Sequence, residues 1–156
     1  MTLSSRLAEL AGRIPLPAET LGGVAVGAVA QRMRPLSLPP AVRPAGILCV
    51  VAGTGLVVVA WRERGPGDLE HPVALTTTGV HARTRNPIYL GFTLAHLGLA
   101  LATRNGWMLA TCPVSAALLH RWLPREEALL HELFGAEYDT YRATVPRYLG
   151  RRSSSP

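Results

Sequence analysis

Lysine is missing from this chain: all 16 basic residues among its 156 are arginine. Charge of either sign is scarce. Only 17% of residues are charged, against 48% apolar, whereas soluble domains usually carry about 25% charged residues. The shortfall points to lipid, rather than water, as the cover for much of the surface. Aromatic residues make up only 6%, and neither a basic helix nor a stacking platform is visible. The net charge of +6 therefore reads as attraction to an anionic membrane face rather than to nucleic acid. The two cysteines, Cys49 and Cys112, lie inside apolar runs and read as buried, inert thiols, not a disulfide. No His/Cys spacing fits zinc, so no metal is expected. Gly-x-Gly-x-x-Gly is absent, which removes the usual sequence signal for a dinucleotide phosphate cradle. Met1–Pro17 has no long apolar core with a cleavage site behind it, so no signal peptide is expected.

What is present is a series of apolar runs in a chain of one-domain length. Ser4–Ile14 has Leu7, Leu10, Ala11 and Ile14 on one helical face, and residues 1–15 read either as an interfacial helix or as a frayed terminus. Residues 16–34 form the weakest span, rich in Gly and Ala, with Gly23 and Gly27 at small-xxx-small spacing. Residues 45–61 form the clearest: 17 residues without a charge, at the short end of what crosses a bilayer. Residues 87–103 and 106–123 give two more spans, joined by the tight turn Arg104-Asn105-Gly106; Pro113 should kink the last. Residues 124–149 read as two cytoplasmic helices separated at Gly135, and 150–156 as a disordered tail.

With four spans, 12 arginines fall on one side and four on the other. The excess places both termini and the 62–86 loop in the cytoplasm. The expectation is an all-α polytopic protein of the bacterial inner (plasma) membrane. Its partners would be membrane lipids and a lipophilic small molecule taken from the bilayer, with no nucleic acid and no oligomeric state assigned.

The chemistry concentrates in Thr77–Phe92, TTGVHARTRNPIYLGF, a polar cluster leading straight into a span. His81, Arg83 and Arg85 read either as anchors at lipid headgroups or as binders of a ligand carboxylate. Asn86-Pro87 reads as a turn that starts a helix, or as a ligand cradle at its N-terminus. Tyr89 is an interfacial anchor or a hydroxyl set over a ligand. Val73–Thr78 reads as an ordered loop lining a site. Glu126 and Glu127 open a helix just after the last span; they complement its dipole, or one of them binds a ligand ammonium. His96 reads as a neutral imidazole hydrogen-bonded between helices.

TTGVHARTRNPIYLG, followed by a helical hairpin and then PREEALLHELFGAEYDTYRATVPRYL, resembles the isoprenylcysteine carboxyl methyltransferases and the related phospholipid methyltransferases over about half of the chain. The resemblance implies an integral membrane enzyme using S-adenosyl-L-methionine at its cytoplasmic face. It implies cofactor contacts from Val73, Ala74, Leu75, Thr76, His81, Arg85, Asn86, Pro87, Tyr89, Glu126 and Glu127. Arg121 or Arg125 would face the acceptor. Asn86 stands where the family has His, and His81 where it has Tyr. Two other functions remain: an NADPH-dependent membrane reductase of the steroid-reductase type, which shares a similar Arg-His-Pro-x-Tyr motif, and a non-catalytic membrane subunit on the same scaffold.

Overall fold

The computed structural model describes residues 17–64 and 74–150. The proposed interfacial helix, Val73, and residues 151–156 of the proposed tail lie outside the described residues. Those described fold entirely as helices and connections. Four helices build the bundle: α1 (Ala18–Met33), α2 (Arg43–Arg64), α3 (Pro87–Ala102) and α4 (Gly106–His120). Two shorter ones, α5 (Leu123–Phe134) and α6 (Ala136–Thr144), cap one end, and a 3-10 turn at Gly79–Ala82 precedes α3.

The bundle is two helix pairs, each built on glycine. α2 packs on α3 along most of its length, and α1 on α4. A Cβ at Gly53 would stand 2.6 Å from Ala95 N and Gly91 O, and one at Gly98 would stand 2.5 Å from Val50 N. These helices approach backbone to backbone, which only a missing side chain permits. Gly27 meets Met108 in the same way, its absent Cβ 2.5 Å from Met108 Cα. The α1–α4 seam also carries a polar ladder. Ser115 Oγ donates to Glu19 O (2.9 Å), Thr111 Oγ1 to Gly23 O (2.8 Å) and Asn105 Nδ2 to Gly27 O (3.1 Å). The three carbonyls are four residues apart, so they line one face of α1. His96 is buried in α3 with Nε2 3.4 Å from Thr111 Oγ1 of α4, which is the interhelical role its sequence position suggested. Cys49 and Cys112 are both free.

One helical stretch among the described residues, Pro40–Arg64, is long and apolar enough to cross a membrane. Its outward side chains suit lipid: Leu48 is 68% exposed and Val51 64%. The other three helices are shorter than the expected spans. α1 and α3 have 16 residues each and α4 has 15, or about 22–24 Å at 1.5 Å per residue, against a hydrocarbon core of about 30 Å. The capping residues set these limits: Thr103 ends α3, and Asn105 starts α4 by accepting Met108 N–H at 2.8 Å. Pro113 lies inside α4 without ending it.

The two ends of the bundle differ. At one, Arg104 sits in the left-handed region (φ +57°) and its Nε donates to Leu38 O at 2.8 Å, stitching the 104–106 turn to the 36–38 loop. At the other, α5 and α6 fold back over the α2–α3 connection. Gly135 adopts φ +50°, which breaks the helix between them, as its sequence position suggested. Tyr138, Tyr141 and Val145 pack there against Leu75, Leu130 and Phe134.

Candidate active site

A cavity of about 320 Å³ opens at the end of the bundle that carries α5 and α6. It is as large as the smaller sites that take organic ligands. Its walls come from five places: the 74–92 segment, the start of α1, the end of α2, the end of α4 with α5, and Tyr141 of α6.

The turn ahead of α3 is held by Glu63, near the end of α2. Glu63 Oε2 accepts Val80 N–H at 2.9 Å and lies 3.2 Å from His81 Nδ1. Gly79 takes φ +59°, and a Cβ there would fall on the Glu63 carboxylate, so the glycine serves both the turn and the contact. His81 lines the cavity and is buried. Burial lowers its pKa below the ordinary histidine value, and Glu63 opposes that shift only in part. Tyr141 Oη donates to His81 O at 2.7 Å, and burial raises that phenol to about 12.

Tyr89, in the first turn of α3, donates its hydroxyl to Glu126 Oε2 at 2.9 Å. Glu126 also faces Arg64, 3.6 Å from Oε1. The loop entering α3 and the acidic start of α5, 37 residues apart in sequence, therefore meet on one cavity wall. Ala74, Leu75 and Thr76 line that cavity, as do Arg85, Asn86 and Pro87.

Three of the residues singled out from sequence do not line this cavity. Glu127 does not line the cavity. It lies 3.0 Å from Arg85 Nη1 and accepts Arg147 Nε at 3.0 Å, tying the C-terminal segment to the turn before α3. This partner raises the Arg147 pKa. Arg121 and Arg125 are exposed and do not line it either; Arg125 stacks over the Trp122 ring at 5.2 Å. Helical geometry explains Arg125 and Glu127; Arg121 caps the C-terminus of α4, outside α5. Trp122, Glu126 and Leu130 are spaced by four and share the cavity face. Arg125 and Glu127, one residue either side of Glu126, are turned about 100° away from it.

Asn86 has a double position. It lines the cavity, yet its Nδ2 donates to Arg147 O at 3.1 Å. Thr84 Oγ1 donates to the same carbonyl at 3.1 Å, and Arg85 N–H to Pro146 O at 3.0 Å. Those bonds clamp the Val-Pro-Arg segment against the entrance to α3. An amide N–H makes this contact without an imidazole, so asparagine serves the clamp at this position.

Sequence reasoning missed Arg64, Phe92, Trp122, Leu130, Tyr141 and Glu19 as lining residues. Phe92 follows Tyr89 by three, and Trp122 and Leu130 flank Glu126 by four, so helical periodicity from the motif residues would have found them. No such local signal marks Glu19 or Arg64.

Residues 42–137 match the family model described as phospholipid methyltransferase. That is more than half of the chain, and it contains Tyr89, Glu126 and the turn before α3. The chain belongs to the phospholipid methyltransferase family. A search among curated proteins found no match. The family match supports a methyltransferase over a reductase. It begins just before α2 and ends just inside α6, so α1 and the C-terminal clamp lie outside it.

Proposed function

We propose that this protein is an S-adenosyl-L-methionine-dependent methyltransferase acting on a lipophilic acceptor, isoprenoid-like or lipid, at the cytoplasmic face of a bacterial inner membrane. All four bundle helices would lie in the bilayer, with both termini cytoplasmic. The reading rests on one observation above the others: the Tyr89–Glu126 contact of 2.9 Å on the wall of a ligand-sized cavity.

The side chains present fit the donor. Glu126 offers a carboxylate to its amino group. Arg85, with 5% of its side chain exposed, has a buried Nε without a hydrogen-bond partner among the described residues, which suits the donor's carboxylate. Leu75, Ile88, Phe92 and Leu130 provide apolar wall for the nucleoside. The bound sulfonium supplies a methyl group that is already activated. The chain's own work is to hold the two partners in line and exclude water. The exposed apolar faces of α1 and α2 support entry of the acceptor from the bilayer.

Calorimetric titration of the purified protein with S-adenosylhomocysteine tests the reading. Binding is expected, and Glu126→Ala should weaken it more than tenfold. Binding of NADPH instead would select the reductase, and binding of neither the non-catalytic subunit. Incubating membranes with labelled methyl donor, then identifying the labelled lipid, names the acceptor.

A further inference from the structure

Among the described residues, one histidine lines the cavity: His81. It stands where the family pattern has tyrosine, so the resemblance gives no reason for an imidazole here. Its side chain is 9% exposed. Nδ1 lies 3.2 Å from Glu63 Oε2, the oxygen that also accepts the Val80 N–H. Tyr141 Oη donates to the His81 carbonyl at 2.7 Å. Backbone and ring are therefore both held.

This arrangement decides the tautomer. A carboxylate only accepts, so the neutral ring carries its proton on Nδ1 and keeps a free lone pair on Nε2. Nε2 has no hydrogen-bond partner among the described residues, and the ring borders the cavity. An anchor for the turn would need the Nδ1 contact alone. A carboxylate behind an imidazole does two further things: it orients the ring, and it stabilises the imidazolium that forms when Nε2 takes a proton. The charged groups acting on the ring are Glu63 and Arg64 of α2, and Tyr141 of α6 faces its backbone. Burial lowers the His81 pKa most; Glu63 raises it and Arg64 lowers it further. The ring is thus neutral, and able to accept a proton, at about pH 7.

We propose that His81 is the general base of the methyl transfer, taking a proton through Nε2 from the acceptor's nucleophilic atom while Glu63 positions the ring. The proposal rests on the methyl-transfer reading above. His81 removes the proton and becomes an imidazolium paired with Glu63. The freed lone pair bonds to the methyl carbon as the carbon–sulfur bond breaks, and that bond's electrons stay on sulfur. His81 then releases its proton to water. Glu63 favours the imidazolium, while burial in an apolar wall disfavours the charged form of the acceptor, so the transfer is less uphill than in water.

The test uses full-length protein in phosphatidylcholine vesicles doped with phosphatidylethanolamine, whose ammonium must shed a proton before its nitrogen can attack, and follows methyl label from the donor. For the unaltered protein, kcat should rise with pH through a value below about 6.5 and then level. His81→Gln should lower kcat about 100-fold or more and lose the plateau, with KM and S-adenosylhomocysteine affinity within about twofold. Added imidazole should restore part of the rate to His81→Ala, and Glu63→Gln should move the rising limb to lower pH. Nitrogen NMR of histidine-labelled protein without donor or acceptor should show the resonance missing from His81→Gln as the Nδ1-protonated tautomer. A role limited to holding the turn would lower Tm but leave kcat and its pH limb in place. Unchanged kcat in His81→Gln, no rising limb in the unaltered protein, an Nε2-protonated tautomer, or no rescue by imidazole each overturns the proposal. So does loss of S-adenosylhomocysteine affinity in His81→Gln, which would make the ring a donor contact, and so does donor binding by the unaltered protein without labelling of the amine lipid. If the unaltered protein binds no S-adenosylhomocysteine, the methyl-transfer reading falls first and takes this proposal with it.

Discussion

Glu126 and Glu127 are adjacent in sequence, but their substitution should produce opposite phenotypes. Glu127 has 13% of its side chain exposed, and its partner Arg85 has 5%. Truncating one member of so buried a pair leaves the other charge uncompensated and costs about 3–5 kcal/mol. The Arg147 side chain is 35% exposed, so water partly compensates that end, and the lower figure applies. Glu127→Ala should thus destabilise by about 3 kcal/mol, or a fall in Tm of about 6–12 °C for a chain of this size. Glu126 stands 3.6 Å from Arg64, and among the described residues its side chain makes one hydrogen bond, to Tyr89. Its removal should cost only about 1 kcal/mol of stability. A charge-assisted hydrogen bond to a ligand contributes about 1.5–3 kcal/mol, so Glu126→Ala should weaken S-adenosylhomocysteine binding roughly 10- to 150-fold. Differential scanning fluorimetry and calorimetric titration on the two variants in one detergent measure both quantities. If Glu127→Ala loses ligand affinity with an unchanged Tm while Glu126→Ala keeps it, the assignment of their roles is wrong.

Three further outcomes follow from the geometry. Gly27→Val sets a side chain against the Met108 backbone, 2.5 Å from its Cα, and should destabilise by at least about 1–3 kcal/mol, read as a lower Tm and a smaller folded yield. Asn86→Asp replaces the amide that donates to Arg147 O with an acceptor facing an acceptor; it should cost about 1–3 kcal/mol and speed proteolysis of the C-terminal segment. Burial lowers the His81 pKa, so the unfolded chain binds the proton more readily than the folded one. Its contribution is complete above the ordinary histidine value of about 6.5 and is lost as pH falls through the lowered folded value. Tm should fall on acidification, and His81→Gln should flatten that slope; an unchanged slope would show that another group controls it.

The sequence by itself determined the helices. Apolar runs bounded by proline, glycine and asparagine marked α2, α3 and α4 to within a few residues, because local propensity and capping act over one or two turns. Gly135 ended α5 where it was expected to, since only a residue tolerant of positive φ lets the chain turn back there. Part of the cavity lining was also legible: Tyr89 and Arg85 stood out by type and place, and Glu126 as one of an acidic pair. Span length was less so: residues 106–123 read as one span, but α4 ends at His120 and α5 starts at Leu123, while Leu118, Leu119, Trp122 and Leu123 keep that boundary apolar.

Tertiary structure alone decided which charges face the cavity and which face each other. Adjacent residues on a helix differ by about 100° in direction, so the two glutamates were equivalent on paper until α5 was docked against α3. The Tyr89–Glu126 contact, the clamp of Arg147 on Asn86, and the placement of Glu19 against Trp122 each join residues tens of positions apart. Such contacts depend on how whole helices are set against one another. Backbone packing at Gly27, Gly53 and Gly98 fixes that register, and no local pattern in the chain encodes it.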